Sequence, residues 1–195
     1  MKTLSRSHTL LLFKRHPVPY ETALYTVSTT SNRISPKCLT CDTKSTKSKD
    51  CSNGMAHVSP SGSKYLHFCH GLNVPEIYIR DAKSSEIVAI LESGTKVEQQ
   101  GYPVFFDTYP LPGGFLAYTK MLVPSNYNPS GSYPVVVETY GGPGYGMVDS
   151  DTGFSWERVL VDTFNIVYIF IDGRGTGYQS NDHMFQMYLG LGTVA

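Results

Sequence analysis

The sequence predicts a mixed fold in which short antiparallel strands come first and a parallel α/β layer follows. Four short β-forming runs, evenly spaced and separated by turn residues, lie between residues 55 and 91. Two longer apolar runs with a helix-like segment between them lie between residues 133 and 171. The chain also has 14 Tyr and 9 Phe against 16% charged residues, a composition rich in β-formers. Together these observations predict a sheet-dominated protein with two parts.

The charge and hydropathy of the chain exclude some classes of partner. With 16 basic and 16 acidic residues, the formal net charge of zero offers no attraction to nucleic acid or to an anionic membrane. No window approaches the ~20 apolar residues that a membrane span requires. The apolar run near the start covers only residues 10–13, whereas a signal peptide needs roughly 7 to 15 apolar residues. We therefore expect no nucleic-acid partner, and neither a signal peptide nor a transmembrane segment within these 195 residues.

The first part of the chain is predicted to be a fragment of a β-propeller. A strand at residues 22–28 is followed by a polar loop and then by the four short runs, at residues 55–58, 64–69, 76–81 and 86–91. Even spacing with turn residues between the runs is typical of one propeller blade. Because a propeller needs about 4 to 8 blades to close, this segment is expected to be the last part of a larger ring. We place the boundary near residues 95–100, which gives domains 1–97 and 98–195.

The four cysteines all lie between residues 38 and 69, and they allow three disulfide pairings or a metal site. Sequence alone does not choose between these alternatives. The close pair Cys38 and Cys41 lacks the flanking strand and helix of a redox CxxC motif. Zinc would require a second close pair, whereas Cys51 and Cys69 are far apart, with His67 and His70 merely nearby. Residues 42–53 are almost entirely polar and are predicted to form a solvated loop.

The second part of the chain is predicted to begin with an antiparallel pair and to continue as strand, helix and strand. Residues 102–106 and 115–123 form the pair, joined by a Pro- and Gly-rich turn. The β-branched run at residues 135–137 is expected of a strand covered on both faces of a parallel sheet. Residues 165–171 repeat this pattern, and residues 149–152 are suited to the start of a helix. The predicted helix has apolar residues at helical spacing: Phe154, Trp156, Val159, Leu160 and Phe164.

Each of the two long strands is followed by a glycine-rich loop. The first, TYGGPGYG, would present backbone to a ligand; the second, DGRGTGY, resembles a dinucleotide-binding turn but has Tyr178 or Ser180 where the third glycine should stand. We interpret the second loop as structural and expect Arg174 to pair with a carboxylate such as Asp172, or with one in a part of the protein outside this sequence. Each of His57, His67, His70 and His183 is expected to be a surface or hydrogen-bonded histidine.

The two loops carry a resemblance to a known family. The run TYGGPG, the following Trp156, the strand NIVYIFIDGRGTGY and the closing LG resemble the front of the hydrolase domain in the dipeptidyl peptidase IV branch of the prolyl oligopeptidase family. The resemblance implies an all-β propeller blade fragment followed by the first half of an α/β-hydrolase domain. It also implies that the chain stops before the catalytic Ser, Asp and His.

The resemblance further implies a function and a set of site residues. The parent protein would be a serine exopeptidase that releases N-terminal dipeptides from peptides with Pro or Ala at the second position. It would also form a homodimer. It would be extracellular or a plasma-membrane ectodomain, with bridges Cys38 to Cys41 and Cys51 to Cys69 and with no cofactor or metal. Tyr140 would be the oxyanion-hole donor. The substrate-adjacent loop would then consist of Gly141, Gly142 and Pro143.

Two alternatives stay open at the level of the sequence. Tyr140 could simply finish a strand and pack its ring against the next helix. The chain could also be a fragment of a non-catalytic, dipeptidyl-peptidase-like membrane partner protein, although such relatives commonly lose this tyrosine. No Gly-x-Ser-x-Gly occurs in the sequence, so the chain by itself is expected to be inactive.

Overall fold

The structure is a computed structural model that describes residues 9–15, 18–28, 36–41, 53–70, 76–93, 103–150, 155–190 and 192. The chain forms two compact units. The first contains Met1–Val97 and Ser150–Gly153, and the second contains Glu98–Asp149 and Phe154–Ala195. Each unit is built around its own β-sheet.

The sheet of the first unit is an antiparallel meander extended at one side. The meander consists of β4 (Asn53–Val58), β5 (Lys64–His70), β6 (Glu76–Asp81) and β7 (Ile87–Ser93). These strands confirm the four runs predicted from turn spacing. Three more strands extend the sheet beyond β4: β1 (Thr9–Arg15), β2 (Thr22–Ser28) and β3 (Lys37–Cys38).

The meander is therefore part of a seven-stranded sheet rather than an isolated four-stranded blade. β2 joins β4 through a single parallel bridge between Thr22 and Asn53. The hydroxyl of Thr22 contacts the Asn53 side chain and accepts a hydrogen bond from the backbone nitrogen of Gly54 at 2.9 Å. The side chain of Thr22 thus adds to the link between β2 and β4, which the turn pattern of the sequence did not predict.

The first unit contains an apolar cluster and a buried histidine that contacts two tyrosine rings. Leu24, Leu39 and Tyr65 form the apolar cluster. His67 is 1% exposed and lies between the rings of Tyr65 and Tyr78, with ring centroids 6.4 and 6.1 Å away. The alternation of β-strand side chains brings these rings to one face of neighbouring strands. By contrast His57 is exposed, and the side chain of His70 lies outside the described residues.

Disulfides tie the cysteine-rich segment of this unit. Cys38 and Cys41 are joined, as the resemblance implies, and Cys69 is also disulfide-bonded. The other cysteine of the second expected bridge, Cys51, lies outside the described residues. Next to the first bridge, the hydroxyl of Thr40 accepts a hydrogen bond from the backbone nitrogen of Leu24 at 2.9 Å.

The second unit is a mixed four-stranded sheet with the order β10-β11-β9-β8. Its strands are β8 (Val104–Leu111), β9 (Phe115–Leu122), β10 (Val135–Thr139) and β11 (Val167–Asp172). β10 and β11 are parallel, and the other two pairings are antiparallel. Helix α1 (Trp156–Phe164) connects the parallel strands, and α2 (Asn181–Met184) continues into a 3-10 turn at Phe185–Met187. The predicted antiparallel pair and the strand, helix, strand order are confirmed.

The environment of β10 differs from the expectation. Val135 and Val137 are each 54% exposed, so the prediction of a strand covered on both faces is wrong for the described residues. Val135 and Val137 project from the same face of β10, since alternate side chains of a strand share a face, and none of the described elements covers that face. A run of three valines indicates β propensity, but it does not indicate whether both faces of the strand are covered.

Helix α1 also differs from the expectation. It begins after the N-cap residue Ser155 rather than at residues 149–152, and its buried residues are Arg158 and Val161. Of the predicted apolar residues, Trp156 and Phe164 are 68% and 61% exposed, Val159 and Leu160 are half-buried, and Phe154 lies outside the described residues. Apolar spacing therefore located the helix correctly but did not predict which of its residues are buried.

Candidate functional site at the Tyr140 loop

The sequence-predicted site residues of the second unit lie in one loop, residues 140–146, which we call the Tyr140 loop. It follows the carboxyl end of β10 directly. Gly141 and Gly144 have φ angles of +67° and +77°, which side-chain-bearing residues rarely adopt. The loop therefore requires glycine at these two positions, as the composition of TYGGPGYG indicates.

Tyr140 presents its phenol to solvent. It is 65% exposed, and its ring meets the ring of Tyr145 edge to face, with centroids 5.1 Å apart and planes at 70°. The same ring covers Gly142 so closely that a Cβ atom on Gly142 would lie 2.3 Å from a ring carbon. A side chain at position 142 would therefore require the Tyr140 ring to move from this position.

The carboxylate of Asp172 anchors the segment that follows the Tyr140 loop. Asp172 ends β11 and is 4% exposed. Its two carboxylate oxygens accept hydrogen bonds from the backbone nitrogens of Met147 and Val148, at 2.8 and 2.9 Å. Charge-assisted bonds of this kind are among the stronger hydrogen bonds in proteins. They fix the chain immediately after the loop to the end of the neighbouring strand.

A partly buried ion pair provides a second anchor. The ammonium group of Lys120 on β9 lies 3.0 Å from a carboxylate oxygen of Asp149, and the lysine side chain is 6% exposed. The same ammonium lies 5.3 Å from the centroid of the Phe170 ring. Asp149, expected to help start helix α1, instead holds the end of the loop segment against the sheet.

The DGRGTGY motif supplies a third anchor through residues 173–177, which we call the Gly173 loop. The backbone nitrogen of Gly177 donates to the carbonyl of Tyr145 at 2.9 Å, and that of Gly144 donates to the carbonyl of Gly175 at 3.4 Å. A Cβ atom on Gly177 would lie 2.5 Å from the Gly144 oxygen. The glycines therefore allow two backbones to approach, which agrees with the structural interpretation of this motif.

Arg174 does not make the predicted pair with Asp172. Its guanidinium donates to the carbonyl of Pro112 at 3.4 Å. The Asp172 carboxylate is directed instead to the amides of Met147 and Val148. Sequence proximity suggested the pairing, but the two consecutive amides offered the carboxylate a better-fitting set of donors.

His183 is a hydrogen-bonded histidine, one of the two outcomes expected for it, but the sequence did not predict its contact with the Gly173 loop. It is 1% exposed, and its Nε2 atom lies 3.0 Å from the carbonyl oxygen of Gly173. Its backbone nitrogen donates to the side chain of the N-cap residue Ser180 at 3.0 Å. The available sequence signal was a serine three residues before His183, which is typical of a helix start.

Metal-binding clusters and membrane-spanning helices are absent from the described part of the chain. No cluster of three or more His, Cys, Asp or Glu side chains suited to a metal ion occurs there. None of the helices described is long and apolar enough to cross a membrane. An apolar groove of about 590 Å³ lies on one face of the second sheet, lined by Phe105, Tyr109, Met121 and Ile169 among others, and the residues of the Tyr140 loop do not line it.

Comparison with known proteins identifies the relatives of this chain. No family model matches it. Venom dipeptidyl peptidase 4 of Apis mellifera is 27% identical over 179 residues, which cover 90% of this chain and 23% of the relative. Dipeptidyl peptidase 4 of Sus scrofa is 29% identical over 160 residues, covering 80% of this chain and 20% of the relative. The chain is homologous to part of dipeptidyl peptidase 4. The family recognised from the TYGGPG and DGRGTGY loops is thereby confirmed.

Further comparisons extend this result. Prolyl endopeptidase FAP of Bos taurus is 27% identical over 173 residues, covering 87% of this chain and 22% of the relative. The crystal structure of Porphyromonas gingivalis dipeptidyl peptidase 4 superposes with a TM-score of 0.79 at 20% identity, over 98% of this chain and 26% of that one. This similarity shows that the fold matches a portion of dipeptidyl peptidase 4. The chain spans about a quarter of the length of the relatives it matches.

Proposed function

We propose that this chain supplies the oxyanion-binding loop of a serine dipeptidyl peptidase, with Tyr140 as the hydrogen-bond donor. The observation that carries the proposal is the placement of Tyr140. An exposed phenol stands on a glycine-rich loop at the end of β10, and the following segment is held by a buried carboxylate and a partly buried ion pair. The chain carrying this arrangement is homologous to dipeptidyl peptidase 4.

The chemistry of peptide hydrolysis explains why such a tyrosine is useful. Attack on the scissile carbonyl places negative charge on its oxygen, and donors that are already in position stabilise that charge. In α/β-hydrolases the loop after the third strand of the sheet contributes to this oxyanion hole. Tyr140 would donate its phenolic proton, while Gly141, Gly142 and Pro143 keep the loop narrow enough for a peptide substrate to approach the backbone.

The loop anchors determine how much this donor contributes. A donor that must reorganise during the reaction loses part of the stabilisation that it provides to the oxyanion, whereas a fixed donor retains it. Asp172, Lys120 and the Gly173 loop restrain the Tyr140 loop from one side. The phenol of Tyr140 is an exposed group at the start of this restrained segment.

The remaining catalytic groups would come from polypeptide outside these 195 residues. The sequence has no Gly-x-Ser-x-Gly, so it offers no nucleophile elbow for Tyr140 to assist. We therefore expect the isolated chain not to hydrolyse dipeptidyl substrates. The parent enzyme would act on peptides with an N-terminal X-Pro or X-Ala sequence and would form a homodimer.

The disulfides favour an extracellular location for the parent enzyme, either secreted or as a membrane ectodomain. Cys38 and Cys41 are bridged, and Cys69 is disulfide-bonded as well. Disulfides persist in oxidising compartments and are rare where thiols are kept reduced. The propeller fragment at residues 1–97 and the hydrolase portion at residues 98–195 would both belong to that extracellular region.

A segment exchange tests the proposed function. Residues 98–195 replace the homologous segment of Apis mellifera venom dipeptidyl peptidase 4, and folding is checked by circular dichroism and gel filtration. The folded chimaera is expected to hydrolyse Gly-Pro-p-nitroanilide, with the activity abolished by a serine-directed phosphonate, while the 195-residue chain alone shows none. A folded chimaera without hydrolysis would contradict the proposal and favour the non-catalytic relative.

A further inference from the structure

We propose that His183 is a positioning residue for the Tyr140 loop, acting through the Gly173 loop rather than on a substrate. This inference rests on the proposed function of Tyr140 for its catalytic meaning. The coupling between the two loops can be measured without catalysis.

The first step is the contact between His183 and Gly173. The imidazole Nε2 lies 3.0 Å from the Gly173 carbonyl oxygen, and because a carbonyl only accepts, Nε2 carries the proton. The hydroxyl of Thr176 donates to the same oxygen at 2.8 Å. One carbonyl therefore receives two side-chain donors, which fix the turn of the Gly173 loop.

The imidazole ring is held in this orientation by its surroundings. The ring of Phe115 meets it edge to face, with centroids 5.3 Å apart. Ser180 caps the backbone nitrogen of His183 at the start of α2. Within the described residues Nδ1 has no hydrogen-bond partner, which agrees with the Nε2–H tautomer. Among the described residues, the polar contacts of the ring are thus all made with the Gly173 loop.

The second step links the Gly173 loop to the Tyr140 loop. Gly177 donates to the carbonyl of Tyr145, Gly175 accepts from Gly144, and the closeness of Gly177 to the Gly144 oxygen leaves no room for a side chain. The ring of Tyr145 then contacts the ring of Tyr140 at 5.1 Å. A displacement of the Gly173 carbonyl would therefore be passed on through backbone bonds to the proposed oxyanion donor.

An apolar residue at position 183 could fill the same volume but could not donate to Gly173. This difference separates a positioning role from simple packing. His183→Leu keeps an apolar body and removes the donor. His183→Gln keeps an N–H at about the reach of Nε2, so it should restore the contact.

Hydrogen exchange on the 195-residue chain measures the coupling directly. We expect His183→Leu to raise exchange about tenfold for the peptide covering residues 140–148, because the loss of one buried bond loosens the loops locally. We expect His183→Gln to stay within about threefold of the parent. The matched control is His67→Leu, since His67 is equally buried but lies in the first unit. The His67→Leu variant should raise hydrogen exchange in residues 64–70 and leave exchange in residues 140–148 unchanged.

Unchanged exchange of residues 140–148 in folded His183→Leu protein would overturn the proposal, as would a Gln variant that loosens the loop as much as Leu does. If the Leu variant does not fold, the parent chain decides the question by ¹⁵N NMR. A protected Nε2–H on His183 supports the proposal, and an Nδ1–H tautomer refutes it. Because none of these readouts depends on hydrolysis, a failed oxyanion role for Tyr140 would leave them unaffected.

Discussion

The carboxylate of Asp172 lies 2.8 Å from the backbone nitrogen of Met147, which is 25 positions earlier in the chain. The contact joins the end of β11 to the segment after the Tyr140 loop, so the end of one parallel strand holds the loop that leaves the other. A second bond, to Val148, uses the other carboxylate oxygen. The position of the proposed oxyanion loop therefore depends on a residue that need not touch the substrate.

Replacing Asp172 by Asn should destabilise the second unit. The amide nitrogen of Asn would face a backbone N–H, so one of the two bonds is lost and a buried donor is left opposite another donor. Hydrogen bonds to charged groups contribute about 1.5 to 3 kcal/mol each, and we expect a loss of about 2 kcal/mol in the free energy of unfolding. Urea denaturation measures it. Asp162→Asn is the control, because Asp162 is exposed on α1. Equal stability of the two variants would show that Asp172 does not anchor the loop.

Replacing Gly142 by Ala should displace the ring of Tyr140. The new methyl group would lie 2.3 Å from a ring carbon, which is too close for the present geometry. Gly173→Ala is the matched control, because a Cβ atom there would meet nothing within 4 Å. We expect the ring resonances of Tyr140 to shift in the NMR spectrum of the Gly142 variant and not in that of the control. Identical Tyr140 resonances in both variants would mean that its ring does not rest on Gly142.

Tyr168 should make the stability of the second unit depend on alkaline pH. Burial raises the pKa of Tyr168, and the hydrogen bond from its hydroxyl to Glu138, 2.7 Å long, raises that pKa further. The folded chain therefore keeps the phenolic proton at pH values where the unfolded chain, with an ordinary tyrosine pKa of 10.0, loses it. The stability that this phenol contributes is fully present below pH 10 and decreases as the pH rises above it.

Tyr168→Phe is the variant that isolates this effect. The difference in unfolding free energy between parent and variant should be constant from pH 7 to about 9 and should fall between about 9 and 11. Urea denaturation across this range measures the difference, and Tyr188→Phe serves as the control because Tyr188 is 75% exposed. A difference in unfolding free energy that does not change with pH would contradict the raised pKa of Tyr168.

Local features of this chain were predictable from sequence, whereas contacts between distant segments were not. Turn residues between residues 55 and 91 marked the strands of the meander, and two glycine-rich runs marked the two loops. Such features depend on backbone conformation, which nearby residues largely determine. Asp172, in contrast, acts through amides of a segment that precedes it in the chain.

The errors have the same physical origin. Three consecutive valines predicted a strand covered on both faces, but Val135 and Val137 of β10 are exposed. In α1 the apolar residues Trp156 and Phe164 are exposed while Arg158 is buried. Burial depends on which surface an element meets, and the spacing of apolar residues within one element does not contain that information.

The most direct test of the central claim is the kcat of the Tyr140→Phe variant in the active chimaera. The substitution keeps the ring that rests on Gly142 and removes only the hydroxyl. Loss of one oxyanion donor typically lowers kcat by about 10²- to 10³-fold, and because the bond forms mainly in the transition state, KM should change little. The account predicts this loss of kcat with an unchanged melting temperature. A kcat within about threefold of the parent would contradict the account, because this change is far smaller than the loss of an oxyanion donor causes.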